Sequence, residues 1–286
     1  MGYEKHIAIA YIKVKGSFEE NMPIQSHPNQ IPLDKNAIIW RYMDLNKYLS
    51  LLERSAIFFC RADKFSDPFE GSIPKIEYDY RLKEAKKSSE FHGQPFDEEK
   101  AANNIKGLAT THKNFKRGIV INCWHINNNE SDAMWRLYLK DNEGVAIQST
   151  ARKVFETMDK AVEVIELSKI RYIDFDKQGW YHPTEYPHTS YNLIAPYFHK
   201  RIEFAYEQEY RIYHEIREAI KNEEYWDTQE NHKGKFIKVD LRTLVDKIYL
   251  PPTADKKTVD RIKALTKQYD YDFDFAISKL QNEPYY

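Results

Sequence analysis

Glycine is scarce in this chain, with 9 in 286 residues. Phosphate-cradling loops need closely spaced glycines whose backbone N–H groups can face an anion. No Walker loop, no Gly-x-Gly-x-x-Gly turn and no Gly-x-Ser-x-Gly elbow occurs, so little raw material exists for such cradles. Cysteine is scarcer still. Cys60 and Cys123 are the two, with no Cys-x-x-Cys and no Cys/His pattern of zinc spacing. The histidines form no His-x-x-x-His or His-Glu-x-x-His pattern, and Asp270–Asp274 lacks the glycine and closing glutamate of a calcium loop. No metal is expected. Few cysteines and the absence of an apolar run after the first residues point to a reducing, cytoplasmic setting. No stretch approaches ~18 consecutive apolar residues, so no membrane span is expected. The net charge of −1 gives no nucleic-acid signal from the chain as a whole.

What is abundant is aromatic surface: 21 Tyr, 15 Phe and 5 Trp. Tyrosine has an apolar body and a polar tip, so such a surplus suits a half-buried sheet surface or a cleft that stacks planar ligands. With 42% hydrophobic and 30% charged residues the balance is that of a soluble globular protein.

Hydrophobic period divides the chain into mixed elements. Strands are expected at 6–14, 37–42, 56–60, 118–125, 144–149, 162–167, 170–173, 236–240, 247–250 and 273–277. Helices are expected at 45–52, 133–139, 150–158, 194–202 and 255–269. Prolines 23, 28 and 32 mark an irregular loop, Ser66–Gly71 is turn chemistry, and 179–187 is an aromatic, Pro-bounded stretch. Residues 77–117 read as a charged, helical, partly mobile insertion with a polar middle from Ser88 to Pro95. Neither a regular βαβ period nor an internal repeat nor a linker is present. The expectation is one α+β domain over 1–286, a mixed or antiparallel sheet core with surrounding helices.

The segment Phe204–Tyr213 carries the densest chemistry. As a strand it places Glu207, Glu209 and Arg211 on one face and Phe204, Tyr206, Gln208, Tyr210 and Ile212 on the other. Same-face side chains then repeat every ~6.6 Å, which suits a polar cluster lining a cleft. An exposed charge ladder, or a helical i,i+4 pair between Glu207 and Arg211, is the structural alternative.

An ordered set of motifs gives this chain a family likeness. They are Trp40-Arg41-Tyr42, a leucine-bearing helix, Ile57–Cys60, Phe65-Ser66-Asp67-Pro68-Phe69-Glu70, Asn122-Cys123-Trp124, Met134–Tyr138, Gly144–Ile147, Tyr206–Arg211 and Ile248–Pro252. Over residues 38–280 the order resembles the bacterial family called domain of unknown function 2971. Its members read Phe-Asn-Asp-Pro-Phe-Glu where Ser66 stands here, Cys-Phe-Ser where Trp124-His125 stands, and Lys-Gly-Val where Glu143 precedes the glycine. That family has no settled activity, so the likeness implies a fold more than a function. A second, fold-level likeness is to mono-ADP-ribosyltransferases. Those have an early strand bearing Arg or His, then a helix and a strand, and later a strand bearing Glu/Gln-x-Glu. Arg41 and Glu207-Gln208-Glu209 occupy those places; the middle Ser-Thr-Ser motif is absent.

These observations support a nucleotide-binding transferase or glycohydrolase, with NAD as the ligand that the second likeness implies and a bacterial toxin or defence effector as its setting. Glu209 and Glu207 would support glycosidic cleavage. Arg41 and Arg211 would hold phosphate, and Tyr42, Glu70, Trp124, His125 and Arg136 would complete the site. Structural readings stand beside these. Arg41 would pair with Asp67 or Glu70, Asp67 would clamp its loop with Phe69 anchored in the core, and Trp135 would be packing. The other functional class is a non-enzymatic module for protein or nucleic acid, with phosphate contacts from Lys83, Lys86, Lys87, Lys106, Lys113, Lys116 and Arg117.

Overall fold

The computed structural model describes residues 24–25, 30–139, 143–180, 194–282 and 284. The strand expected at 6–14, prolines 23 and 28, and residues 181–187 of the aromatic stretch lie outside these.

β1 (Ile24–Gln25) precedes β2 (Ile38–Asp44). Asp44 ends β2 and caps helix α1 (Leu45–Arg54), its carboxylate accepting the Lys47 N–H at 2.9 Å. Ser55 turns left-handed at φ 44° and stops α1, and β3 (Ala56–Arg61) follows at once. Two polar helices come next, α2 (Lys75–Phe91) and α3 (Glu98–Arg117), with Asp97 capping the second. The sequence then alternates between sheet and short helix: β4 (Ile119–Ile126), α4 (Asp132–Tyr138), β5 (Gly144–Thr150) and α5 (Ala151–Met158). Ser131 and Thr150 cap these helices through the N–H groups of Met134 and Lys153. β6 (Ile165–Lys169), β7 (Arg171–Ile173), β8 (His199–Arg201) and β9 (Glu209–Glu215) lead to α6 (Arg217–Lys221). The chain closes with β10 (Gly234–Lys238), α7 (Leu241–Leu244), β11 (Lys247–Leu250), α8 (Lys256–Gln268) and β12 (Phe275–Ile277).

Two expectations fail around β8. Residues 194–202 form no continuous helix: a 3₁₀ turn at Ala195–Phe198 gives way to β8, which pairs in parallel with β7. The acidic strand also starts later than its alternation suggests. Ile202–Glu207 is 3₁₀, and Gln208 sits in the left-handed region at φ 42°, so β9 begins at Glu209. Hydrogen bonds explain why the turn wins. The Gln208 N–H and its side-chain amide both donate to Ala205 O, while Gln208 O accepts the N–H of Ile126 at the end of β4. Glu209, Arg211 and Tyr213 do share one face of β9, and Tyr210 and Ile212 on the other face enter the main core.

The fold is α+β with a mostly antiparallel ten-stranded sheet. Its main path runs β1-β6-β9-β4-β2-β5-β11-β12, with only β1–β6 and β11–β12 parallel among its pairs. β4 is the pivot. One edge pairs along seven residues with β9, Ile119 to Glu215 through His125 to Glu209. The other edge is shared by two strands. β2 takes its end, Trp40 opposite His125, and β3 takes its start, Cys60 opposite Ile121. The sheet therefore forks at Asn122–Trp124, with β5, β11 and β12 following β2 on one branch and β10 following β3 on the other. The largest buried cluster joins both branches, with Ile39 and Met43 of β2, Ile57 and Phe59 of β3 and Ile212 of β9 meeting Tyr48 and Leu52 of α1. Trp135 is buried with Trp40, Tyr42 and Met134 in a smaller cluster, in keeping with a packing role.

Candidate functional site

A fork in a sheet leaves backbone edges that no strand pairs, and buried backbone groups need partners. Here side chains supply them. Arg41 Nη1 donates to Cys123 O at 2.9 Å and Nη2 to Phe58 O at 3.4 Å, bridging β4 and β3. Asn122 Nδ2 donates to the same Phe58 carbonyl at 2.8 Å. A cavity of about 530 Å³ opens at this fork. That volume falls within the ~300–1,000 Å³ common for small-molecule sites.

Arg41 projects from the same face of β2 as Ile39 and Met43, which both belong to the apolar core. Among the described residues it has no carboxylate within ion-pair distance; its partners are carbonyl oxygens. Burial lowers its pKa, with Cys123, Tyr138 and Cys60 pulling the other way. A guanidinium remains charged throughout the physiological range, so the cavity floor carries an uncompensated positive charge. The walls around it are aromatic: Tyr42, Phe58, Trp124, Tyr138 and Phe236.

Three further residues at the fork each keep one buried polar atom without a partner among the described residues. His125 Nδ1 lies 2.7 Å from Glu207 O, so the neutral ring donates from Nδ1 and presents Nε2 as an acceptor. Burial lowers the His125 pKa, which the Glu207 carbonyl partly offsets, and this keeps the ring neutral. His125 Nε2, Trp124 Nε1 and Asn122 Oδ1 are buried and have no hydrogen-bond partner among the described residues. Buried polar atoms of this kind call for a partner.

Behind one wall lies a network of ion pairs. Arg211, only 1% exposed, binds Glu209 Oε2 through Nε at 2.5 Å, Glu70 through Nη2, and Tyr197 O through Nη1 at 3.0 Å. Lys200 Nζ bridges Glu209 Oε1 at 2.8 Å and Glu207 Oε2 at 2.6 Å. Burial would raise the Glu209 pKa, but Arg211, a hydrogen bond from Glu207 and the Lys200 charge hold it well below the usual range. Glu207 responds oppositely. Burial, the hydrogen bond to Glu209 and the Glu209 charge push it up to about 7 against the pull of Lys200. Adjacent carboxylates cannot both ionise cheaply, so the pair divides into one fixed anion and one group that titrates near neutrality. Both line the cavity.

Of the residues singled out in the sequence, Arg41, Tyr42, Trp124, His125, Glu207 and Glu209 surround this one cavity. Arg211 and Glu70 stand one layer behind it, paired to each other. Arg136 is on the surface, its side chain 80% exposed and paired with Asp132 at 2.7 Å. The ion pair expected for Arg41 is not made, because Asp67 is bound by Arg201 at 3.0 Å and Glu70 by Arg211. Asp67 does clamp its turn, accepting the Phe69 N–H at 3.0 Å. Phe69 does not anchor in the core; it is 43% exposed, edge-on to Phe175 with the Arg201 guanidinium over its ring. Lys200, Tyr138, Phe58 and Cys123 also belong to the site. Tyr138 reads as helix packing by spacing. Lys200 reaches Glu207 and Glu209 only because a 3₁₀ turn folds the chain back, which no local pattern announces.

Among the described residues no helix is long and apolar enough to cross a membrane, and no cluster of three or more His, Cys, Asp or Glu is placed to hold a metal ion. No curated protein and no solved structure matches the chain. None of these comparisons supports the likeness to mono-ADP-ribosyltransferases. The family described as protein of unknown function (DUF2971) matches residues 134–212, a stretch that begins in α4 and ends in β9, so the resemblance holds there for the Met134–Tyr138, Gly144–Ile147 and Tyr206–Arg211 motifs.

Proposed function

We propose that the fork cavity binds a nucleotide-like anion, with NAD as the first ligand to try, and cleaves its glycosidic bond. The observation that carries this reading is the unpaired Arg41 cation among aromatic walls, opposite a carboxyl group that titrates near neutral pH. Arg41 grips phosphate bidentately, and Tyr42, Phe58 or Trp124 stacks a planar base. Glu209, held ionised by Arg211 and Lys200, presents negative potential to an oxocarbenium-like centre. Glu207 takes the proton. As the C1′–N bond breaks, its electron pair stays on the base nitrogen, a water oxygen bonds to C1′, and the Glu207 carboxylate accepts the water's proton. A hydroxyl of a protein or nucleic acid in place of water turns the same step into transfer.

A binding module without turnover is the second reading. It is favoured by the Glu209 carboxylate, whose two oxygens are both already engaged. One experiment separates these. A thermal-shift screen of nucleotides and dinucleotides, followed by chromatography of the incubated ligand, reads binding and cleavage together. A ligand at 100 times its Kd stabilises the chain by about 2.7 kcal/mol. Arg41→Ala should reduce the shift and stop cleavage, and Glu207→Gln should leave the shift but stop cleavage. Ligand recovered intact after binding favours the module. No shift with any nucleotide, or an unchanged shift in Arg41→Ala, sinks both readings of the cavity.

A further inference from the structure

A second cavity of about 590 Å³ lies between the Pro68–Ile73 loop and helices α2 and α3. It connects to the first through Glu70, which lines it and whose carboxylate binds Arg211, the partner of Glu209. Arg211 thus binds one carboxylate from the lining of each cavity.

Cations outnumber anions on this second wall, four lysines to two acids. Lys106, Lys113 and Lys116 project into it from α3, and Lys75 from the start of α2. Among the described residues none of the four makes an ion pair within 4 Å; Lys116 instead donates to the Glu70 carbonyl. Against them stand Asp176 at the rim and Glu70, whose carboxylate Arg211 already holds. Lys106 and Lys113 are two turns apart on one helix face, and Lys116 lies one turn further. The three cations therefore extend over ~15 Å of axis at 1.5 Å per residue. A ligand with more than one phosphate meets more of these cations than a lone phosphate does. The remaining lining is mainly aromatic and apolar, with Phe69, Tyr78, Phe175 and Ile105, and has Ser72 and His112 as polar members. Phe69 and Phe175 meet edge to face at 5.7 Å, and Phe69 is exposed despite its size. Lysines and rings lining one space match a ligand that carries both an oligophosphate and a planar body.

We propose that this cavity is a second anion site, distinct from the fork cavity, for a nucleoside diphosphate or triphosphate. The lysines of α3 take the phosphates, and Phe69, Tyr78 and Phe175 take the base. The proposal does not depend on the reading of the fork cavity.

ADP is the probe. Titration calorimetry at low salt is compared for the native chain and the double variant Lys106→Glu/Lys113→Glu, whose substituted side chains are exposed so that the fold is retained. Hydrogen exchange with and without ADP locates the binding. The expected result is protection at 68–78 and 105–116, and a Kd weakened at least tenfold by the double variant. Binding should also depend less steeply on salt in the double variant, because fewer lysine–phosphate attractions remain to be screened. Inorganic pyrophosphate should bind more weakly than ADP, because the rings then have nothing to hold. Protection confined to 38–44 and 119–126 assigns ADP to the fork cavity and overturns the second site. So does an unchanged Kd in the double variant, an absence of binding, or pyrophosphate binding as tightly as ADP.

Discussion

Arg41 and Arg211 stand on opposite sides of the same strand. β9 and β2 flank β4, and Cys123 of β4 pairs in register with Arg211 while its carbonyl accepts from Arg41. Arg211 is buried outright and Arg41 is half-buried at the cavity, and their company differs as well. Arg211 has Glu209 and Glu70, and these charges raise its pKa well above the ordinary value against the effect of burial. Arg41 has two carbonyl oxygens and, among the described residues, no carboxylate. An enclosed cation with its counter-ions supplied explains itself as structure, because removing either partner strands the other. A cation without them points outward to a ligand that brings the charge. The same contrast separates Glu209, fixed by two cations, from Glu207, which shares only Lys200 and titrates.

The sharpest way to break this contrast is Arg211→Met. It leaves Glu70 and Glu209 buried, with Lys200 alone against Glu209. Loss of one partner from a buried pair costs ~3–5 kcal/mol, a large part of a typical domain's stability. The urea midpoint should fall accordingly, to the point that little folded protein is recovered at 37 °C. A loss below ~1 kcal/mol, the worth of an exposed pair, would mean that the network is wetter than its burial indicates.

Much of this was legible from residue order. Binary pattern located β2 to β5, α1, α4, α5 and α8, because each has a strong period and most have a cap residue at the start: Asp44, Ser131, Thr150 and Asp255. The acidic segment was half legible. Alternation from Glu209 to Tyr213 reflects a real strand, but the same alternation runs on through Phe204–Gln208, where a left-handed glutamine ends it. Glutamine rarely adopts that conformation, so its identity carries no warning. What could not be read was pairing across distance. Nothing in Trp40-Arg41-Tyr42 says that β2 shares an edge of β4 with β3, and it is this fork that isolates Arg41 from Asp67 and Glu70. Lys200 was invisible for the same reason.

Glu207→Gln tests the titrating half of the contrast. Burial and its neighbour raise the Glu207 pKa from 4.5 to about 7, so within that window the folded chain holds a proton that the unfolded chain has released. Stability contributed by this group is complete below pH 4.5 and is lost as pH rises towards 7. Glu209 acts with the opposite sign and outside the window: its depressed pKa favours the fold at neutral pH and fails only in stronger acid. Histidines whose pKa values burial lowers, His112 and His199 among them, favour the fold as pH rises in both proteins alike, so the difference is the readout: relative to the glutamine variant, the native chain should lose on the order of 2 kcal/mol between about pH 4.5 and 7.5, after screening at the cavity mouth. Denaturation curves at three pH values measure this. Parallel curves for the two proteins would show that Glu207 ionises normally.

Arg41→Met should change stability least and is the most discriminating for that reason. The substitution removes a half-buried charge that no carboxylate offsets, which favours the fold, and it frees the Cys123 carbonyl, which costs about 1 kcal/mol. Phe58 O keeps the Asn122 amide at 2.8 Å, so the β3 side of the fork stays satisfied. The methionine stem lies among Ile39 and Met43, an apolar setting that suits it. These terms nearly cancel, and the expected change in unfolding free energy is within ~1 kcal/mol. A residue whose removal leaves the fold intact but empties the cavity of its ligand is one held in place for binding. If Arg41→Met instead costs as much as Arg211→Met, the guanidinium is the bolt that closes the fork, and the two arginines are structural alike.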